Sequence, residues 1–250
     1  MRGLSMKKVI LFLSMITLSL DTTPIIVSAH RGASGYEPEN TLRAFKRAID
    51  MGAPMIELDV HICKTGQIVV VHDGFIDTPK KAISDLTWDE LQRYDMGKGE
   101  RIPLLSQVFD LVDKRIIINV ELKGAHTAKP VAELIAQYIH DKKWSPDNFL
   151  ITSFNHYWVH EFHAYVPSVK TGILFECNPI GYAQMAIDAN AQYAVMHYQW
   201  LTQEFVADAD AHGIQVFVYT VNDKLVAEQL KKLNVDGIIS NYPDILSHTS

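Results

Sequence analysis

Two histidines, His30 and His72, and three carboxylates, Glu57, Asp59 and Glu121, fall within or just past runs that are otherwise apolar enough to be buried strands. Burying such groups costs several kcal/mol each unless they are paired or bound to a metal. Three carboxylates with no cysteine or evident histidine ligand beside them suit one hard divalent cation, Mg²⁺ or Ca²⁺, held through oxygen; structural salt bridges are the competing reading. The histidines can supply the two proton transfers that displacement at a phosphorus or acyl centre requires. Arg31 and Lys123 add fixed positive charge suited to gripping phosphate oxygens beside a cation. Together the set describes phosphoryl transfer.

These residues sit at the ends of strands. Candidate strands run from Pro24 to Ala29, Met55 to Val60, Ile68 to His72, Arg115 to Leu122, Phe149 to Ser153, Val169 to Phe175, Tyr193 to Met196, Gln215 to Tyr219 and Gly237 to Ser240. Most are separated by helical patterns, the signature of βαβ units around a parallel sheet. Lys64 to Gln67 is too short for a crossover helix, so the second and third candidates form an antiparallel hairpin. A turn centred between Thr65 and Gly66 opposes His72 to Asp59. With the hairpin's second arm on the rim, eight parallel strands remain for a TIM (β/α)8 barrel, whose functional groups lie at the C-terminal ends of its strands. Period two places Glu57 with Asp59, and Glu121 with Lys123, each pair pointing one way.

A helix is expected over Thr41 to Met51, capped by Asn40 and stopped by Gly52, and another over Leu225 to Leu233. Residues 74–103 form a short insertion holding one helix after a Thr87 cap. His156, His160 and His163 recur at helical spacing on one face, a pattern open to a second zinc site as well as to an ordinary outer helix.

The 250 residues are enough for one large core, and a net charge of −6 gives no basic footprint for nucleic acid. Two cysteines without zinc-finger spacing exclude a disulfide framework. Arg2, Lys7 and Lys8 precede the apolar run Val9 to Leu20, which is too short to span a bilayer and suits a secretory signal. Residues 1–23 are therefore expected to be removed on export, periplasmic or secreted, leaving residues 24–250 as one barrel domain without stable membrane insertion; a capping helix on a cytoplasmic protein is the alternative. Cutting after Ala29 would remove the strand that delivers His30.

The chain resembles the glycerophosphodiester phosphodiesterase family through HRG (His30 to Gly32), PENT (Pro38 to Thr41), ELDV (Glu57 to Val60), VVHD (Val70 to Asp73), VELKG (Val120 to Gly124), YTVN (Tyr219 to Asn222) and DGIISNYPD (Asp236 to Asp244). The series covers Pro24 to Leu246, and its order makes it far more specific than HRG alone. The resemblance implies hydrolysis of a small-molecule glycerophosphodiester, such as glycerophosphocholine, to glycerol 3-phosphate and an alcohol. It implies His30 and His72 as the acid/base pair, Glu57, Asp59 and Glu121 as ligands of one divalent metal, and Arg31 and Lys123 as phosphate contacts. Glu39 in PENT is implied to orient its neighbours. It also favours attack by the substrate's own glycerol hydroxyl, through a cyclic glycerol phosphate.

Two departures stand out. The segment Gly74 to Thr87 is shortened and lacks the Arg-Thr pair usual in the family. The family's common tryptophan before TVN is Tyr219, an aromatic wall with an added hydroxyl. A lysophospholipase D or sphingomyelinase-D-like activity is the enzymatic rival, and a non-catalytic phosphate-binding barrel is the other alternative. The first needs an apolar groove for an acyl chain, which the short insertion does not supply; the second gives no reason to keep desolvated charges.

Overall fold

The computed structural model describes residues 25–76 and 80–246. In chain order the elements are β1 (Ile26–Ala29), α1 (Leu42–Asp50), β2 (Met55–Ile62), β3 (Ile68–Val70), β4 (Phe75–Ile76), β5 (Lys81–Ala82), α2 (Trp88–Leu91), α3 (Leu105–Val112), β6 (Ile117–Leu122) and α4 (Ala128–Lys142). They continue with β7 (Phe149–Ser153), α5 (His156–Tyr165), β8 (Lys170–Phe175), α6 (Gln184–Asp188), β9 (Tyr193–His197), α7 (Gln203–Ala211), β10 (Gln215–Tyr219), α8 (Lys224–Lys232) and β11 (Gly237–Ser240).

Eight parallel strands close into a barrel in the order β1, β2, β6, β7, β8, β9, β10, β11, with β11 pairing back onto β1. One edge of β2 is shared. β1 pairs with Met55 and Ile56 at its start, whereas β3 runs antiparallel along Val60 to Ile62 at its end. The wall between β1 and β2 therefore parts toward the C-terminal face, where the site lies.

Alternation along the strands separates two kinds of core. Met55, Leu150, Leu174, Val195, Phe217 and Ile239 pack together inside the barrel, filling its lower part. Residues of the opposite parity, such as Ile56, Leu58, Ile118 and Val120, pack outward with Phe45, Phe109 and Val131 of the helices.

The expected hairpin forms with its register one residue away from expectation. Val60, His61 and Ile62 face Val70, Val69 and Ile68, and the Val71 amide donates to the Asp59 carbonyl at 3.0 Å. His72 is therefore not opposite Asp59, and it lies beyond the end of β3. The reason is the turn: the Cys63 amide bonds the Gln67 carbonyl at 3.1 Å, leaving a three-residue loop that ends on Gly66 at φ +87°. A left-handed glycine in that position shifts the pairing by one.

The insertion holds the expected helix after Thr87, closed by reciprocal Thr87–Glu90 capping, and in addition a small hairpin of β4 and β5. Cys63, Val69, Val71, Ile83, Leu91 and Ile102 give it a core of its own. Lys98 anchors it to the β1–α1 loop, donating to Glu37 at 2.8 Å and to the Tyr36 carbonyl at 3.0 Å. The expected export signal lies outside the described residues, and no described helix is long and apolar enough to cross a membrane.

Candidate active site

The inward face of β2 climbs from Met55 in the interior core through Glu57 and Asp59 to His61 at the rim, in steps of two. Glu121 is paired in register with Asp59 on the adjacent β6. Carboxylate oxygens of Glu57, Asp59 and Glu121 lie within 4.8 Å of one another, all three residues buried. Burial, then the charges of Asp59 and Glu121, push the Glu57 carboxyl well above the usual carboxylate range. Burial and Asp59 take Glu121 up to about 7, against the pull of Lys123. Such mutual frustration among oxygen-only donors is relieved by a divalent cation, so the residues present fit one.

Asp59 is fixed by a partner that the sequence reading treated as a helix cap. Asn40 donates from Nδ2 to Asp59 Oδ2 at 2.8 Å, and Thr41 takes the cap, accepting from the Ala44 amide at 3.2 Å. Asn40 holds φ +55°, which turns it away from α1 and toward β2.

HRG forms the turn between β1 and α1. Arg31 sits at φ +54° and Gly32 at φ +79°, and a Cβ on Gly32 would come within 2.7 Å of the Ala44 backbone. Glycine is required there by conformation and by space. The turn directs the Arg31 amide to Glu57 Oε2 at 3.0 Å. Its guanidinium reaches Glu39 at 2.9 Å and Asp59 at 3.4 Å. Glu39 thus orients Arg31, while Lys123 bridges Glu121 at 3.2 Å and Asp59 at 3.9 Å.

Both histidines are held through Nδ1 and leave Nε2 without a hydrogen bond to any described residue. His30 Nδ1 lies 2.6 Å from Asn241 Oδ1. An amide oxygen only accepts, so the proton is on Nδ1 and the lone pair on Nε2, which is 4.0 Å from Glu57. Burial first, and the Arg31 charge second, hold the His30 pKa below its ordinary value, which keeps the ring neutral at neutral pH. His72 Nδ1 donates to Asp73 at 2.8 Å, again leaving Nε2 for chemistry. Its backbone is held by His61, whose Nε2 donates to the His72 carbonyl at 3.1 Å. A Cβ on Gly124 would meet that imidazole at 2.9 Å, so the glycine of VELKG makes room for His61.

His30, Arg31, Glu57, His72, Glu121 and Lys123 line one side of a cavity of about 230 Å³. Phe154, Leu174, Glu176 and Tyr219 line the other. Tyr219 keeps the expected aromatic wall, but its hydroxyl donates to the Phe175 carbonyl at 3.2 Å. The His156 to His163 series lies on α5 as an outer helix, with His156 donating to the Leu174 carbonyl at 3.0 Å. Glu57, Asp59 and Glu121 are the one group among the described residues arranged to hold a metal.

The sequence model of the glycerophosphoryl diester phosphodiesterase family matches residues 30–245. The chain belongs to that family. It is similar to a glycerophosphodiester phosphodiesterase of Caldanaerobacter subterraneus subsp. tengcongensis, 35% identical over 88% of this chain and 96% of the relative. It also resembles the crystal structure of a Thermotoga maritima glycerophosphodiester phosphodiesterase, with TM-score 0.74, 29% identity and coverage of 90% of this chain and 97% of that one. An Oleispira antarctica phosphodiesterase solved in complex with the product sn-glycerol-3-phosphate matches at TM-score 0.79 and 27% identity, over 89% and 95% of the two chains. The family places the described barrel among phosphoric diester hydrolases.

Sequence reasoning named the three carboxylates, both histidines, Arg31 and Lys123; it took Asn40 for a helix cap and missed His61, Asn241 and Glu176, the last of which lines the same cavity. A period-two count continued past Asp59 and past Ile239 would have pointed to His61 and Asn241.

Proposed function

We propose that the chain hydrolyses glycerophosphodiesters to glycerol 3-phosphate and an alcohol, with Glu57, Asp59 and Glu121 holding one divalent cation, Mg²⁺ or Ca²⁺. The observation that carries this reading is a single cavity lined by two histidines, by Arg31 and Lys123, and by Glu57 and Glu121 of the buried carboxylate trio. The product complex of the Oleispira relative supports glycerol 3-phosphate as the product. When bound, the cation supplies Lewis-acid charge for the non-bridging phosphate oxygens.

The chain's own groups divide the remaining work. His30, neutral through burial, takes the proton of the glycerol hydroxyl adjacent to the phosphoester as that oxygen bonds to phosphorus. His72, entering as the imidazolium with its Nδ1–H on Asp73, gives its Nε2 proton to the departing alcohol as that oxygen's bond to phosphorus breaks. Water then opens the cyclic glycerol phosphate with the roles reversed: its proton passes to His72, and His30 returns a proton to the glycerol oxygen. Arg31 and Lys123 face the same cavity and add positive charge for the phosphate. The reading is tested by incubating purified protein with glycerophosphodiesters and lysophospholipids, with and without added Mg²⁺ or Ca²⁺. Release of glycerol 3-phosphate from the former is expected. Cleavage of lysophospholipids in their place would favour the lipid-directed rival.

A further inference from the structure

The cavity is electrically two-sided. Strand order puts β8 diametrically across the barrel from β1, so the loop after β8 faces the turn that carries His30 and Arg31. Glu176 occupies that loop. It continues the inward-facing series Gly172, Leu174 and Glu176, and lines the cavity with Phe154 and Tyr219. Its carboxylate is close enough to the Tyr219 hydroxyl to be, after burial, the largest cause of that phenol's raised pKa.

The charges on the opposite side are already balanced. Arg31 is paired with Glu39 and Asp59, and Lys123 with Glu121 and Asp59. Glu176 has no ion pair or hydrogen bond with any described residue. It stands beside two aromatic rings in edge-to-face contact, Phe154 and Tyr219, with centroids 6.0 Å apart. The Phe154 ring already has one ammonium, Lys123 Nζ, at 5.9 Å from its centroid. An unpaired carboxylate beside aromatic faces is the chemistry that recognises a cation carried on carbon.

We propose that Glu176, with Phe154 and Tyr219, forms a subsite for an ammonium headgroup, so that glycerophosphodiesters of cationic alcohols, choline or ethanolamine, are selected over those of neutral alcohols. The inference rests on the phosphodiesterase reading above. The glycerol hydroxyl must reach His30 at the inner end, which directs the alcohol portion toward the mouth, where Glu176 is exposed. A cationic alcohol then bridges the cavity, its phosphate against Arg31 and Lys123 and its ammonium against Glu176.

The test compares kcat/KM for glycerophosphocholine and glycerophosphoethanolamine with that for glycerophosphoglycerol, using the metal-loaded full-length enzyme and its Glu176→Gln, Glu176→Lys and Phe154→Leu variants. The parent should prefer the cationic substrates. Glu176→Gln should lower the cationic-to-neutral ratio about three- to fivefold, Glu176→Lys further, and Phe154→Leu by a smaller factor. A parent that cleaves all three equally well, or a ratio unmoved in Glu176→Gln, would overturn the subsite and leave the phosphodiesterase reading intact. A parent that cleaves none of the three would overturn both.

Discussion

His30 and Asn241, 211 residues apart in the chain, meet at 2.6 Å between Nδ1 and Oδ1. The contact spans the closure of the barrel, because β1 pairs with β11 and each strand delivers its residue one step past its own end. Asn241 is itself fixed, its amide donating to Asn222 Oδ1 at 2.9 Å. The YTVN and NYPD segments are thereby joined to HRG through one imidazole. Replacing Asn241 with Ala frees the ring to rotate and to change tautomer. Outer partners that orient a metal-ligating histidine typically cost roughly 10- to 100-fold when removed, and a loss of similar size is expected for this ring. The loss should fall on kcat, with KM changed little and the circular dichroism spectrum retained. A kcat equal to that of the parent would remove Asn241 from the proton-transfer geometry.

Removing either imidazole should cost more than removing its support. His30→Ala and His72→Ala are each expected to lower turnover by at least about a hundredfold, since a general acid or base contributes about that much or more. Both residues are only partly buried, and neither belongs to the cores of the fold, so the variants should stay folded. Steady-state rates with the metal-loaded variants decide the matter, and near-parental turnover in either would end its assignment.

The charged centre was legible because strands expose misplaced charge: Glu57, Asp59 and Glu121 interrupt runs whose neighbours are all buried. The supports were hidden for physical reasons of their own. Asn40 precedes a helix, and the same short amide that caps a helix can also bond a carboxylate, so residue type alone could not separate the roles. Asn241 lies beyond its strand, where pattern reading stops. His72 lines the same cavity as Glu57 and Glu121, but the expected opposition to Asp59 failed because a left-handed Gly66 moved the register by one. Closure of β11 on β1 follows from alternating strands and helices; the small β4–β5 hairpin does not, since two-residue strands carry no periodicity.

The three carboxylates make the metal-free protein sensitive to pH in a defined direction. Glu121 is raised from its ordinary 4.5 to about 7 in the fold. Between those values the folded state holds a proton that the unfolded chain releases, so stability is fully present below about pH 4.5 and declines as pH rises through about 7. The Tm of chelated protein should therefore fall over that interval because of this group. Mg²⁺ or Ca²⁺ should raise Tm more at pH 8 than at pH 6, because the cation competes with the proton for the same oxygens. Glu121→Gln should reduce both effects. Differential scanning calorimetry measures them without reference to activity, and a Tm indifferent to either cation at pH 8 would return the trio to a structural role. Chelation should also abolish hydrolysis, with restoration by one of the two cations.

In the proposed order of proton transfers the neighbouring glycerol hydroxyl is the nucleophile. His30 and His72 stand on the two sides of the opening between β1 and β2, so one can serve the attacking oxygen while the other serves the leaving oxygen. A hydroxyl already attached to the phosphoester is held at an effective concentration that water cannot match; intramolecular reactions of good geometry gain effective molarities up to about 10⁵ to 10⁸ M. The hydroxyl should add to phosphorus as His30 receives its proton, and the alcohol should depart protonated from His72, leaving a cyclic glycerol phosphate. An analogue in which that hydroxyl is replaced by hydrogen keeps the phosphate and the alcohol, so it should occupy the cavity as a competitive inhibitor while turning over at least about a hundredfold more slowly. Trapping the parent reaction at short times should show the cyclic species by ³¹P NMR before glycerol 3-phosphate accumulates. Turnover of the deoxy analogue close to the parent rate would mean that water attacks directly, and the two histidines would then act on water and alcohol in a single displacement.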